Sequence, residues 1–126
     1  MKRVTLVKLL VRDQDEALEF YTKKLGFVVA EDSKMGGYRW LLVRLPDNKE
    51  LCINLDVPKT DEQEALVGRQ AAGMPLFSIE TDDCMREYSA LKERGVEFEG
   101  QPEFHFYGTG VLMKDLYGNK IYINQD

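Results

Sequence analysis

At 126 residues, with 44% apolar side chains, the chain has enough material for one domain with a real core and no disulfide staples. Twenty-two Asp and Glu against 17 Lys and Arg give a net charge of -5, which disfavours non-specific attraction to nucleic acid or to an anionic membrane surface. Two cysteines, Cys52 and Cys84, make no C-x-x-C pair and are too few for a secreted disulfide framework, so reduced thiols in a cytoplasm are expected.

Val4 to Val11 (V-T-L-V-K-L-L-V) reads as a strand mostly buried on both faces, and is too short for a signal core or a membrane span. Asp13 then caps a helix, with Glu16 three residues on and an inward stripe of Ala17, Leu18, Tyr21 and Leu25. Gly26 ends it, and Phe27 to Ala30 restarts a strand. Gly36-Gly37 is a turn; Tyr38 to Leu45 and Glu50 to Val57 are strands joined through Pro46-Asp47-Asn48-Lys49. Residues 58–74 are largely polar and read as a connection, with a short helix from Asp61 to Leu66. The plan then repeats from Leu76: strand, helix from Asp82 to Arg94, Gly95, strand Val96 to Phe98. A loop through Pro102 and Gly108 leads to strands Val111 to Asp115 and Lys120 to Asn124. The segments Asp13–Gly26 and Asp82–Gly95 each run from an acid to a glycine, followed by an apolar residue. Such self-similarity means two copies of one supersecondary unit, and paired units of this kind tend to enclose a concave site.

Several stretches resemble the vicinal oxygen chelate superfamily of glyoxalases, extradiol dioxygenases, and bleomycin and fosfomycin resistance proteins. They are Val11-Arg12-Asp13, Ala17 to Tyr21, Leu25-Gly26-Phe27, Phe77 to Asp83, Tyr107-Gly108, and Asp115-Leu116-Tyr117-Gly118-Asn119-Lys120-Ile121. The likeness implies an α+β fold of two β-α-β-β-β modules, residues 1–57 and 75–126, forming a curled mixed sheet in a single domain. Strand alternation then sends Val7, Leu9, Ile53, Leu55, Ile121 and Ile123 to the helices. It sends Leu6, Lys8, Leu10, Cys52, Asn54, Asp56, Leu76, Ser78, Glu80, Tyr122 and Asn124 into the cup.

In the metal-dependent members each of four strands supplies a His or Glu ligand. The resemblance puts those slots at Leu6, Asn54, Leu76 and Tyr122, none of which offers imidazole or carboxylate, so no metal and no cofactor is expected. The single His105 lies in a loop outside the slots, as a rim histidine or a base. Lys8 among aliphatic neighbours is a candidate nucleophile or base; the alternative is that it pairs with an acid such as Glu80 or Asp56, or snorkels to the rim. Glu80 is the other candidate base, or a carboxylate welcome near a helix start. Trp40, Leu42 and Arg44 alternate into the cup, and Trp40, Arg44, Asn54 and Tyr122 suggest an aromatic pocket with one guanidinium for a flat or anionic small molecule. Arg39 reads as a solvated or an edge residue, and Cys52 as an unreactive buried thiol.

The function expected is metal-independent binding of a small molecule in the cup between modules, by a cytoplasmic homodimer without nucleic-acid or membrane partners. One alternative is a lyase, isomerase or dioxygenase-like enzyme using Lys8, Glu80 or an atypical metal site. Another is a dimeric interaction module without ligand.

Overall fold

The computed structural model describes residues 1–126. It contains eight strands in two four-stranded mixed sheets. The chain divides into two compact units, residues 1–67 and 68–126. In the first, β1 (Leu6–Leu10) is followed by α1 (Gln14–Glu19), β2 (Val28–Met35), β3 (Tyr38–Arg44), β4 (Cys52–Asp56) and the short α2 (Asp61–Ala65). In the second, β5 (Pro75–Glu80) leads to α3 (Cys84–Glu93), β6 (Glu97–His105), β7 (Gly108–Lys114) and β8 (Lys120–Gln125). The sheet orders, β1-β4-β3-β2 and β5-β8-β7-β6, are the same order twice. In each, the first strand is parallel to the last and the remaining pairs are antiparallel. No helix is long and apolar enough to cross a membrane.

Asp13 and Asp83 start the two long helices. Each carboxylate accepts a backbone N–H three residues on, from Glu16 and Arg86, both at 3.0 Å. The cap of the second helix is therefore Asp83 and not Asp82. Cap and closing glycine lie thirteen positions apart in the first unit and twelve in the second. The extra residue of the first is absorbed by a π-helical turn, Phe20–Lys24, which continues α1. Within it the Leu25 amide donates to the Phe20 carbonyl, five residues back (3.2 Å). The Thr22 hydroxyl donates to the Leu18 carbonyl (2.7 Å). Gly26 and Gly95 then leave their helices in the left-handed conformation that glycine alone takes without strain (φ +82° and +89°).

Each unit keeps its own core. In the first, Leu9, Val11, Ala17, Tyr21, Leu41, Val43 and Leu55 are buried, and Tyr21 meets both Phe20 and Phe27 edge to face. In the second, Val111, Met113, Ile121 and Ile123 lie beneath α3, whose Tyr88 packs edge to face on Phe98 (centroids 4.7 Å apart).

Three expectations are corrected. The first strand is not buried on both faces: Val4, Leu6 and Val7 are exposed, because β1 is an edge strand with β4 on one side only. The stretch through Pro102 is strand rather than loop, since β6 reaches His105 across an irregularity between Glu99 and Glu103 that lets Gly100 take φ +76°. Arg39 is no solvated edge residue. It shares the Leu41 side of β3, only 18% of its side chain is exposed, and it bridges Asp15 (2.7 Å) and Asp32 (2.9 Å). The Arg39 hydrogen bond holds the Asp32 carboxyl below its ordinary value. That contribution is present at neutral pH and lost as pH falls from 3.8 toward the lowered value.

Candidate functional site

The strand pairings define one side-chain face per sheet opposite the helix. In the first unit Lys8 pairs with Asn54, and Asn54 with Leu42. Tyr38, Trp40, Leu42, Arg44, Asn54 and Lys8 therefore share a face. In the second, Ser78 pairs with Tyr122 and Tyr122 with Leu112, so Glu80, Ser78, Tyr122 and Gly110 share the equivalent face. Asn54 and Tyr122 occupy the same place in the repeated plan, as do Trp40 and Gly110.

The first face is built around Asp56, a carboxylate only 3% exposed. Its Oδ2 accepts from the Lys8 ammonium at 2.9 Å and, at a long 3.4 Å, from the Tyr38 hydroxyl; its Oδ1 accepts from the Val57 amide at 3.0 Å. Lys8 is thus ion-paired while its side chain stays 53% exposed. Tyr38 and Trp40 lie side by side, centroids 6.5 Å apart and planes inclined by 38°, and the Lys59 ammonium sits 5.0 Å from the Tyr38 ring centre. Trp40, Tyr38 and Arg44 are each partly exposed. Arg44 bends toward its own turn, donating to the carbonyls of Leu45 (3.2 Å) and Pro46 (2.9 Å). Asn54 is fully buried: its amide donates to the Leu41 carbonyl (3.0 Å), and its Oδ1 has no hydrogen bond.

On the second face the Tyr122 hydroxyl is likewise buried without a well-formed hydrogen bond. Burial first, then the neighbouring Tyr107 side chain, push this phenol above its ordinary value, so it stays protonated. The ring lies across Gly110, where a Cβ would overlap the hydroxyl and Cζ and come within 2.8 Å of Cε2. Glu80 is exposed at the end of β5. His105 ends β6, its Nε2 3.7 Å from the Glu103 carboxylate and its ring stacked on Tyr107 (centroids 4.9 Å, 6° between planes). Phe104 and Phe106 stand almost fully in solvent at this hairpin.

The sequence-predicted residues are thus divided. Lys8, Trp40, Arg44 and Asn54 share one face, and Tyr122 and Glu80 the equivalent face of the other sheet. Missed altogether were Tyr38 and Lys59. Tyr38 could have been found by the same alternation that singled out Trp40, two positions on. Lys59, beyond the end of β4, carried no signal.

A family model for the Glyoxalase/Bleomycin resistance protein/Dioxygenase superfamily matches residues 3–123. The chain belongs to that superfamily. The uncharacterized protein YurT of Bacillus subtilis (strain 168) is 35% identical over 127 residues, covering 98% of both chains. The crystal structure of UcmS2 superposes with a TM-score of 0.87 at 30% identity over 98% of each chain. That of TnmS3, an antibiotic binding protein from Streptomyces sp. CB03234, does so with a TM-score of 0.82 at 29% identity, over 99% of this chain and 96% of that one.

The slots that metal-dependent members of this superfamily fill with ligands do not fit a divalent ion here. Leu6 and Leu76 have no lone pair to give, Asn54 offers one amide oxygen, and Tyr122 a protonated phenol. Nowhere do three or more His, Cys, Asp or Glu side chains come together in a way that could hold a metal.

Proposed function

We propose that the protein binds a small planar molecule non-covalently and without a metal. The observation that carries this reading is the Tyr38–Trp40 ring pair, partly exposed on a sheet face that also bears ionic side chains. Rings held on a rigid sheet give contact area at little entropic cost, and nearby polar groups fix orientation. The resemblance to TnmS3, described as antibiotic binding, supports a binding role over a catalytic one. The enzyme alternative gains less support. Of its two candidate bases, Lys8 is engaged in an ion pair with Asp56 and Glu80 is exposed at the end of its strand.

Trp40 is the sole tryptophan, so its indole N–H gives one resonance in an amide-correlation spectrum. Titration with flat aromatic molecules is expected to shift it saturably in protein freed of metal by chelator, with elemental analysis finding no stoichiometric zinc, nickel, iron or manganese. Binding that appears only when a metal is restored sinks the metal-free reading. An indole resonance that no aromatic compound moves sinks the site.

The proposal extends to a homodimer, motivated by the exposed apolar Val4, Leu6 and Val7 on and beside edge strand β1. Sedimentation at micromolar concentration is expected to give twice the 14.5 kDa chain mass. A compact particle of single-chain mass refutes it.

A further inference from the structure

In the first unit one buried side-chain oxygen has no donor: Oδ1 of Asn54, a residue with no exposed surface. The strand pairings fix where it stands. Asn54 is in register with Lys8 on β1 and with Leu42 on β3. Trp40, two residues before Leu42, is therefore its diagonal neighbour on the same face, about 7–8 Å away and within reach of a ring. The side-chain nitrogen of Asn54 donates to the Leu41 carbonyl (3.0 Å). A carbonyl only accepts, so the nitrogen has to face it and Oδ1 is turned the other way. The polar groups around this face are engaged elsewhere, Lys8 and Tyr38 with Asp56 and Arg44 with its own turn. A buried acceptor without a donor is destabilising, and a donor brought to it removes that penalty. The second unit does not repeat the arrangement. There the Tyr107 side chain acts on the Tyr122 hydroxyl, and Gly110 stands where the first unit has Trp40.

We propose that Asn54 Oδ1 accepts a hydrogen bond from the ligand, which is therefore a planar aromatic molecule with an N–H or O–H group on the edge of its ring system. The inference rests on the binding reading above and narrows its ligand class. A ring system lying on Trp40 carries one edge toward Asn54. Because Asn54 is fully buried, the donor arrives by displacing side chains, and Trp40 and Leu42 beside it are partly exposed and can turn outward. Molecules of the same shape without a donor are selected against, since they leave the oxygen unpaired in a site from which they have excluded water.

Indole and benzofuran test this, being of nearly equal shape, with an N–H in the first where the second has a ring oxygen. Each is titrated against isotope-labelled protein by calorimetry, by the Trp40 indole resonance and by the carbon resonance of the Asn54 side-chain carbonyl. Both probes should move Trp40. Indole is expected to bind about tenfold more tightly, and it alone should shift the Asn54 carbonyl carbon. Asn54→Leu should bring the two affinities within about twofold of each other by weakening indole. That variant also deprives the Leu41 carbonyl of a donor and can cost the fold, in which case the carbonyl shift in the unaltered protein decides alone. Equal affinities overturn the inference while the aromatic site stands. So does a preference for indole that leaves the Asn54 carbon unmoved or survives in folded Asn54→Leu. If neither probe moves Trp40, the binding site and its donor preference fall together.

Discussion

Tyr21→Ala is expected to destabilise the protein by about 3–5 kcal/mol, the range for deleting a large aromatic side chain from a core that cannot collapse around the gap. Tyr21 is fully buried in the π-helical turn. Its ring is gripped edge to face by Phe20 (centroids 5.5 Å, 73° between planes) and by Phe27 (5.4 Å, 84°), so removing it leaves both neighbours without their partner. The turn also fixes the exit of the helix, because the Phe27 amide donates to the Tyr21 carbonyl (2.9 Å). That backbone bond survives the substitution, so the loss reads packing and not chain geometry. Equilibrium denaturation in urea measures it. A loss below about 1 kcal/mol would mean that the surrounding core relaxes into the cavity.

Asp115→Ala is expected to cost about 2–4 kcal/mol, because one buried carboxylate organises the whole β7–β8 turn and its removal orphans two buried donors of Asn119 and the part-buried Tyr117 amide. Asp115 Oδ1 accepts the amides of Tyr117 and Asn119, and Oδ2 accepts the Asn119 side-chain amide, all at 2.9 Å. Both Asp115 and Asn119 are buried. The turn closes through backbone bonds from Asp115 to the Asn119 carbonyl and from Gly118 to the Asp115 carbonyl, with Gly118 at φ +92°. Asp115→Asn keeps one acceptor oxygen and should lose clearly less. Equal losses for Ala and Asn, measured by the same denaturation, would show that the charge matters rather than the hydrogen-bond count. The Asp-Leu-Tyr-Gly-Asn run that helped to suggest the family is thus explained by the architecture of a turn.

Much of this fold was legible because its signals are local and doubled. Two aspartates before apolar-periodic runs, and two glycines after them, mark helices by cap chemistry alone. The same locality set the limits. Asp82 and Asp83 both suit a cap, so the sequence could not show that the repeats differ by one residue, nor that a π turn makes up the difference. Pro102 suggested a loop because proline donates nothing to a ladder. The strand passes through it because the pairing of β6 with β7 skips between Glu99 and Glu103. In the candidate site, alternation put Trp40, Arg44, Asn54 and Lys8 on a common face, since parity is a property of the chain. Which charge meets which is a tertiary matter. Nothing in the sequence aims Arg44 at its own turn, chooses Asp56 over Glu80 as the partner of Lys8, or lays Lys59 over Tyr38.

The overlap that a Cβ at Gly110 would make with the Tyr122 ring ties the history of these two positions together. The second unit keeps a bare backbone where the first carries Trp40, and a phenol where the first carries Asn54. The two positions cannot change toward the first unit's choices in arbitrary order. A side chain can enter at 110 only if the ring at 122 shifts or has become smaller, whereas shrinking 122 first meets no such obstacle. Among descendants of this chain, variation at 110 should therefore be found mainly on backgrounds already changed at 122.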